Sequence, residues 1–199
     1  MYLIIKRIID FILSLLGLII LSPLFLIIAI WIKIDSPGPV FFKQKRVGKD
    51  KELFDIYKFR TMRSDTPSDM PTHLLGDPAA FITNSGAFLR KTSLDELPQL
   101  INIIKGEMAV IGPRPALWNQ DDLVAERDKY NANDVLPGLT GWAQINGRDE
   151  LPIPVKAKLD GEYIEQMSFA MDVKCFFLTI KSVISSDGVS EGWNEDNKD

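Results

Sequence analysis

The sequence predicts a mainly helical α+β protein. It combines an N-terminal re-entrant membrane helix with a cytoplasmic domain that holds a short β-hairpin and interfacial amphipathic helices. Three observations predict this class: residues 11–32 carry no charge, residues 40–62 show two strand-like segments around a turn, and apolar residues recur at helical spacing through much of the remaining chain. We expect the membrane helix to cover residues 1–34, the domain residues 35–188, and an acidic, disordered tail residues 189–199.

The charge of the chain is unevenly distributed. Its 199 residues carry a net charge of −4, yet the stretch from Lys33 to Arg63 holds nine basic and four acidic residues. A basic stretch beside an apolar segment favours anionic lipid headgroups or a phosphorylated substrate as the partner. The single cysteine, Cys175, excludes an intrachain disulfide and is expected to be a buried thiol.

The uncharged segment Phe11–Ile32 is about 22 residues long, and a helix of that length spans roughly 30 Å, enough to cross a bilayer. Two features favour instead a helix that enters the membrane and returns. Pro23 removes a helical hydrogen bond and is expected to break the helix at Ser22-Pro23, where Ser22 is available to bind a freed carbonyl. Basic residues flank both ends of the segment, which favours both ends on the cytoplasmic side. A spanning helix is the alternative.

The residues after the membrane segment predict a turn and a hairpin. Asp35-Ser36-Pro37-Gly38-Pro39 ends the helix, and Val40–Arg46 and Leu53–Met62 are two strands joined by a glycine-containing turn. Lys58 and Arg60, two positions apart, are expected on the same face of the second strand.

A loop and a short helix follow the hairpin. Ser64–Pro78 is rich in Ser, Thr, Asp, Pro and Gly and lacks periodicity, which predicts a loop able to act as a lid. Asn84–Lys91 is expected to be a short helix with Asn84 as its cap.

The stretch Thr92–Leu100 carries two adjacent carboxylates, Asp95 and Glu96, at a predicted helix start. Ser93 and Glu96 match a capping box, and the helix is expected to end at Lys105-Gly106. Capping leaves Asp95 unexplained. A helix start also favours a charged carboxylate and offers free N–H groups to a phosphate, so capping and catalysis are compatible here.

The C-terminal half alternates short strands, loops and helices. Met108–Ile111 predicts a buried strand, and the two prolines beside Arg114 either present this cation rigidly or simply end the strand. The glycines of Pro137–Arg148 permit close approach to a ligand, although they also suit an ordinary loop. Further helices are expected in three segments, of which the last has an apolar stripe that faces either the core or a membrane: residues 116–134, 156–166 and 171–185.

The basic residues and the two adjacent carboxylates of the sequence suggest chemistry on phosphates. Fixed cations around two carboxylates suit a substrate with several phosphate charges, and the candidates are Lys58, Arg60, Arg90, Arg114 and Arg148. Asp95 and Glu96 are candidate ligands for Mg²⁺, which binds through one or two carboxylates and substrate oxygens. Because the sequence has neither a Ser–His pairing nor a G-x-S-x-G motif, a carboxylate is the expected covalent nucleophile.

Five stretches resemble the bacterial sugar transferase family, the monotopic phosphoglycosyl transferases. In the order of that family they are Asp35-Ser36-Pro37-Gly38-Pro39-Val40-Phe41-Phe42, Lys58-Phe59-Arg60-Thr61-Met62, Leu89-Arg90-Lys91-Thr92-Ser93-Leu94-Asp95-Glu96-Leu97-Pro98-Gln99, Ile111-Gly112-Pro113-Arg114-Pro115 and Pro137-Gly138-Leu139-Thr140-Gly141-Trp142-Ala143-Gln144. The resemblance covers nearly the whole chain and matches the small form of the family.

The resemblance implies transfer of a phosphosugar from a UDP-sugar to undecaprenyl phosphate, with release of UMP and a requirement for Mg²⁺. The reaction is the first membrane step in assembling a polysaccharide or a glycoprotein glycan. Asp95 is implied as the nucleophile that carries the phosphosugar, and Glu96 as its partner, in metal binding or in proton transfer.

The resemblance also implies a place in the cell and a set of partners. The catalytic domain and both termini are expected on the cytoplasmic face of the bacterial inner membrane, in contact with phospholipid and not with nucleic acid. The alternative is a non-catalytic module that binds anionic lipid at the membrane surface and uses the dyad only to cap a helix.

Overall fold

A computed structural model describes residues 2–66, 79–147 and 151–185. Its helices are α1 (Tyr2–Asp35), α2 (Asn84–Lys91), α3 (Gln99–Lys105), α4 (Asp121–Asp128), α5 (Trp142–Ile145), α6 (Ile153–Glu165) and α7 (Phe169–Ser185). Its strands are β1 (Phe41–Val47), β2 (Leu53–Phe59), β3 (Ala109–Ile111) and β4 (Gly138–Thr140), and short 3₁₀ turns cover Lys49–Lys51, Ala79–Phe81 and Leu94–Glu96. The predicted mainly helical α+β class is confirmed. The acidic tail and most of the predicted lid loop lie outside the described residues.

The predicted hairpin is confirmed. Strands β1 and β2 pair in antiparallel register from Phe41 opposite Phe59 to Val47 opposite Leu53. The turn between them uses left-handed backbone at Asp50, with φ of 53°. Strand β2 ends at Phe59, so Arg60 lies outside the strand. The alternation of side chains along a strand, from which Lys58 and Arg60 were expected on one face, therefore does not extend to Arg60.

A second, parallel sheet joins β3 to β4, with Ala109 opposite Gly138 and Ile111 opposite Thr140. The sequence predicted β3 but not β4, which occupies three residues inside the glycine-rich stretch. A Cβ atom on Gly138 would collide with the backbone nitrogen of Gly112. The glycine there is needed for close approach of two backbones, which accounts for Gly138 without a ligand. Approach of this stretch to a ligand stays a prediction.

Helix α1 runs as one helix of 34 residues, with Pro23 inside it. The helical backbone is therefore not interrupted at Ser22-Pro23, which corrects the expectation of a complete break. A kink at Pro23, the other expected effect of this proline, stays a prediction. Pro23 has no N–H to offer the carbonyl of Ile19, four residues earlier, and the hydroxyl of Ser22 donates to that carbonyl at 2.8 Å. This hydrogen bond was expected from the sequence, and it compensates for the bond that Pro23 removes.

Both ends of α1 are bound to the rest of the protein. At the N-terminal end Tyr2 and Lys6 donate to the carboxylate of Asp172 in α7, at 2.6 and 2.5 Å. Arg7 donates to the carbonyls of Ile103 and Ile104 at the end of α3. Between these contacts and the C-terminal end, most large side chains of α1 are exposed. Among the described residues α1 is the helix long and apolar enough to cross a membrane.

At the C-terminal end of α1, Arg60 binds the last carbonyls of the helix. Its guanidinium donates to the carbonyl of Ser36 at 2.7 Å and to that of Ile32 at 3.5 Å, and only 5% of the residue is exposed. A cation at this end also complements the helix dipole. Asp35 in turn accepts hydrogen bonds from the backbone and hydroxyl of Ser85, at the start of α2.

Helix α2 begins one residue earlier than its predicted cap implies. The hydroxyl of Thr83, not the side chain of Asn84, accepts the capping hydrogen bond, from the backbone of Gly86. The expectation that Asn84 caps this helix is thus corrected by one position.

The core that positions the candidate site joins α1 to the domain. Ile28 and Ile32 of α1 pack with Phe59 of β2 and Leu89 of α2, and the partly buried Leu94 and Leu97 pack against this cluster. Helix α1 is therefore part of the domain core, and burial of these apolar side chains stabilises their association.

Replacing Arg60 by alanine is expected to lower the free energy of unfolding by about 2–4 kcal/mol, because buried carbonyls at the end of α1 lose their donor. Thermal unfolding of the detergent-solubilised protein, followed by circular dichroism, measures the change. The control is Arg63→Ala, which breaks an exposed pair with Asp65 and should change stability by at most about 1 kcal/mol. Lost activity with unchanged stability would contradict this structural role of Arg60.

Candidate active site

The acidic dyad lies in a 3₁₀ turn that precedes α3. Ser93 has left-handed backbone with φ of 56°, the turn covers Leu94–Glu96, and α3 begins at Gln99. Within the described chain Ser93 makes no side-chain capping hydrogen bond. The predicted capping box is therefore wrong, because Ser93 lacks the extended conformation that an N-cap uses.

The carboxylate of Glu96 is bound by two cations. The Lys58 ammonium lies 2.8 Å from Oε1 of Glu96, and Arg114 donates to the same oxygen at 3.0 Å and to Oε2 at 3.5 Å. The same Lys58 ammonium lies 4.0 Å from Oδ2 of Asp95, and Asp95 is 7% exposed. Lys58 thus bridges the two adjacent carboxylates, which compensates part of their mutual repulsion.

These cations determine the charge state of Glu96. Burial alone would raise the pKa of the carboxyl, but the charges of Arg114 and Lys58 outweigh that effect and hold its pKa well below the ordinary value. Glu96 is therefore ionised at neutral pH. Its side chain is only 18% exposed, so the three charged groups interact with little screening by solvent.

The strand that carries Lys58 is bound by an amide of α3. The carboxamide of Asn102 accepts a hydrogen bond from the backbone nitrogen of Tyr57 at 3.0 Å and donates to the carbonyl of Asp55 at 2.8 Å. It thus pairs with the outer edge of β2 as a neighbouring strand would. Asn102 is fully buried and was not predicted. A polar residue among the apolar positions of the helix is the signal that could have revealed it.

Arg114 comes from the end of β3. The carbonyl of the preceding Pro113 accepts from the backbone of Gly138, and the carbonyl of the following Pro115 accepts from Arg46 at 3.2 Å. Arg114 thus lies between two prolines whose carbonyls are both hydrogen-bonded. This restraint is what we expect if the Pro-Arg-Pro pattern presents the cation rigidly.

The other predicted cations have different surroundings. Arg60 binds the end of α1, and Nε of Arg90 donates to the hydroxyl of Thr61 at 3.0 Å. Arg148 lies outside the described residues. Among the five predicted cations, Lys58 and Arg114 form ion pairs with the dyad. Roles of Arg60, Arg90 and Arg148 in substrate binding stay predictions.

The turn that carries the dyad has an apolar side and a charged side. Leu94 and Leu97 pack on the cluster that contains Ile28 and Ile32 of α1. The intervening carboxylates contact Lys58 and Arg114 instead. The site thus lies at the boundary between the apolar helix and the charged part of the domain.

Within residues 2–66, 79–147 and 151–185 no three His, Cys, Asp or Glu side chains cluster as metal ligands. Asp95 and Glu96 supply two carboxylates. This donor set fits Mg²⁺, which commonly completes its coordination with water and substrate phosphates, and does not suit zinc, which prefers His and Cys. Each carboxylate has more than two lone pairs, so the cations on Glu96 leave capacity for a further ligand.

Comparison with known proteins agrees with this combination of apolar helix and acidic dyad. The model of the family described as bacterial sugar transferase matches residues 1–186. The chain belongs to the bacterial sugar transferase family. The resemblance seen in the five motifs is thereby confirmed, and with it the classification as an enzyme of the phosphoglycosyl transferase type.

Relatives of two sizes match this sugar transferase. The uncharacterised sugar transferase EpsL of Bacillus subtilis is 42% identical over 84% of this chain and 80% of its own length. The exopolysaccharide production protein PSS of Rhizobium leguminosarum is 40% identical over 93% of this chain and 98% of its own length. The UDP-glucose:undecaprenyl-phosphate glucose-1-phosphate transferase of Escherichia coli is 40% identical over 88% of this chain but only 39% of its own length. Family membership and helix α1 together fit a bacterial membrane protein.

Glu96→Gln is expected to destabilise the protein by about 2 kcal/mol at pH 7, because it leaves two cations without their carboxylate. Folding lowers the pKa of Glu96. Its contribution is therefore fully present above the unfolded value, near 4.3 for a free glutamate, and is lost as the pH falls through the lower folded value. The difference in melting temperature between the two proteins should persist at about pH 4.5 and shrink below it.

The matched control is Asp55→Asn, which breaks an exposed pair with Lys45 and should show a small, nearly constant difference. A difference for Glu96→Gln that vanishes already on going from neutral to mildly acidic pH would mean that the pKa of Glu96 is raised, and would contradict the prediction.

Proposed function

We propose that this chain transfers a sugar 1-phosphate from a UDP-sugar to undecaprenyl phosphate, releasing UMP and leaving an undecaprenyl-diphosphate-linked sugar. The observation that carries the proposal is the dyad of buried Asp95 and partly buried Glu96 with Lys58 and Arg114, in a chain whose relatives include a glucose-1-phosphate transferase of this kind. The product would start the assembly of a polysaccharide, in keeping with a relative named for exopolysaccharide production.

The proposed reaction has two displacements at one phosphorus atom. A carboxylate oxygen of Asp95 attacks the β-phosphorus of the UDP-sugar, the bond from this phosphorus to the bridging oxygen breaks, and UMP leaves with that oxygen. A phosphate oxygen of the lipid then attacks the same phosphorus and releases the Asp95 carboxylate. Dividing the transfer in this way means that the nucleotide and the lipid need not occupy the site together.

The residues around Asp95 suit this chemistry. Lys58, 4.0 Å from Asp95, is close enough to offset charge that accumulates on a phosphoryl group there. Arg90 and Arg148 are proposed to bind substrate phosphates, as is Arg114. Asp95 and Glu96 are proposed to hold Mg²⁺, which when bound neutralises phosphate charge.

We propose that α1 bends near Pro23, dips into the membrane and returns, so that both its ends and the domain share the cytoplasmic face. Contacts at the two ends support this topology. Lys6 near one end is paired with Asp172, and the carbonyls near the other are bound by Arg60. A helix that spans the bilayer would have to give up one of these sets of contacts, since the domain occupies one side only.

Helix α7 is proposed to contribute to the membrane contact as an interfacial helix. Among the side chains of α7 that the structure describes, four large apolar ones are exposed: Phe169, Phe176, Phe177 and Ile180. Burial of such a face at the lipid surface is favourable, and the Tyr2 and Lys6 bonds to Asp172 keep α7 beside the membrane helix.

Incubation with a UDP-sugar labelled in its β-phosphate, without lipid acceptor, is expected to leave label on the protein and to release one UMP per site. Asp95→Asn should show no label and a loss of turnover by a factor of at least about 10³, because the covalent step is removed. Mass spectrometry of the labelled peptide locates the phosphosugar.

The control is again Asp55→Asn, which lies at an exposed position and should label normally. Normal turnover by Asp95→Asn would falsify the covalent mechanism. Binding to anionic vesicles without UMP release from any of a panel of UDP-sugars, tested with polyprenyl phosphate, would instead identify a membrane-binding module.

An epitope tag before Met1 is expected to lie on the same side of the membrane as a tag inserted at Asp50, in the exposed hairpin turn. Protease digestion of sealed inverted vesicles tests this, because it removes cytoplasmic tags only. Removal of the Asp50 tag with protection of the N-terminal tag would show a spanning helix and contradict the re-entrant topology.

A further inference from the structure

A buried ion pair lies behind the candidate site, on two helices that the proposed mechanism does not use. Nε and Nη2 of Arg127 in α4 lie 2.8 and 2.6 Å from Oδ2 of Asp160 in α6. The two side chains are only 4% and 1% exposed. Burial raises the pKa of Asp160, and the charge of Arg127 opposes that rise.

The third donor of this arginine reaches the site. Nη1 of Arg127 donates to the backbone carbonyl of Arg114 at 2.9 Å. The side chain of Arg114 in turn donates to Glu96 at 3.0 Å. A continuous series of contacts thus runs from Asp160 through Arg127 and Arg114 to the dyad.

Stability alone does not account for a pair placed here. Removing two charges from water is costly, and apolar residues of similar volume often serve a core equally well or better. Apolar residues cannot, however, supply a planar fork that binds a carboxylate on one side and a carbonyl on the other. The Arg114 carbonyl needs such a donor, because it faces this buried pair.

We propose that Arg127 is a positioning residue for Arg114, with Asp160 orienting its guanidinium. This inference rests on the proposed function, since Arg114 matters through the dyad that it holds. The flanking prolines keep their own hydrogen bonds, but without the Nη1 bond the carbonyl of Arg114 loses its donor, and the peptide that carries it can reorient. A displacement of about 1 Å near reacting groups can lower a rate by up to about 10²-fold.

A double-mutant cycle tests the proposal. Arg127→Lys keeps a positive charge beside Asp160 but lacks the fork, and is expected to lower kcat by about tenfold in the wild-type background. In an Arg114→Met background the same change should lower kcat by less than about twofold, because the side chain that Arg127 is proposed to position is absent. Equal losses in both backgrounds would overturn the proposal.

The division of the loss between kcat and KM provides a readout that a purely structural role would not give. Misplacement of Arg114 acts on the reacting groups, so Arg127→Lys should lower kcat and leave KM for the UDP-sugar within about twofold of the wild-type value. A decrease in the folded fraction with kcat and KM unchanged per folded protein would indicate a structural brace and contradict the proposal.

Hydrogen exchange on the same proteins decides the question even if no transfer is observed. Arg127→Lys should accelerate exchange in the segment Ile111–Leu117 and leave α6 unchanged. Faster exchange throughout α4 and α6 would overturn the proposal. No UMP release by the wild-type protein would refute the proposed function and leave the positioning role to be decided by exchange alone.

Two further variants serve as controls, one for misfolding and one for effects on the whole of α4. Arg127→Met combined with Asp160→Leu removes both charges and should fold, yet still accelerate exchange in Ile111–Leu117. Lys51→Ala breaks an exposed pair with Asp128 at the end of α4 and should leave kcat, KM and exchange in that segment unchanged.

Discussion

Two adjacent carboxylates with little exposure to water have to be compensated by cations, and here the cations come from different parts of the fold. Lys58 belongs to the hairpin, and Arg114 follows the strand of the parallel sheet. The turn that carries Asp95 and Glu96 lies between them. The site therefore exists only when the hairpin and the parallel sheet both dock against the segment that begins α3, and its electrostatics depend on the tertiary fold as a whole.

The same dependence links the site to the membrane helix. Leu94 and Leu97, on either side of the dyad, pack on the cluster formed with Ile28 and Ile32. Arg60, at the end of β2, satisfies carbonyls at the end of the same helix. Helix α1 is thus more than an anchor attached to a finished domain, because the turn that holds the carboxylates is packed against it.

Sequence patterns predicted those elements that depend mainly on neighbouring residues. Alternation of apolar and polar residues predicted the hairpin, an apolar run predicted the buried strand before Gly112, and a glycine after the last helical residue predicted the helix end at Gly106. The pairing of Lys58 with the dyad was anticipated only as one cation among five. Strand β4 was missed because three residues in a glycine-rich stretch carry no strand signal, and its glycine is explained only by the nearby backbone of Gly112.

The remaining differences arise where a residue type has several uses. Ser93 followed by Glu96 matches a capping box, but the pattern does not reveal that Ser93 has left-handed backbone or that two cations bind Glu96. Arg60 and Arg114 have the same donors. One faces helix carbonyls and the other a carboxylate, and the partner follows from tertiary contacts that no spacing along the chain reports.

The way in which Lys58 and Arg114 are shared between Asp95 and Glu96 affects how an anionic substrate would bind. Lys58 is 2.8 Å from Glu96 but 4.0 Å from Asp95, so in the protein alone Glu96 takes the larger share of its charge. A phosphoryl group bound at Asp95 would place more negative charge beside the same ammonium. Arg114 would continue to compensate Glu96 while Lys58 turns towards the phosphoryl group. A cation shared between neighbouring carboxylates can therefore follow the charge during the reaction, provided that the second cation stays in place.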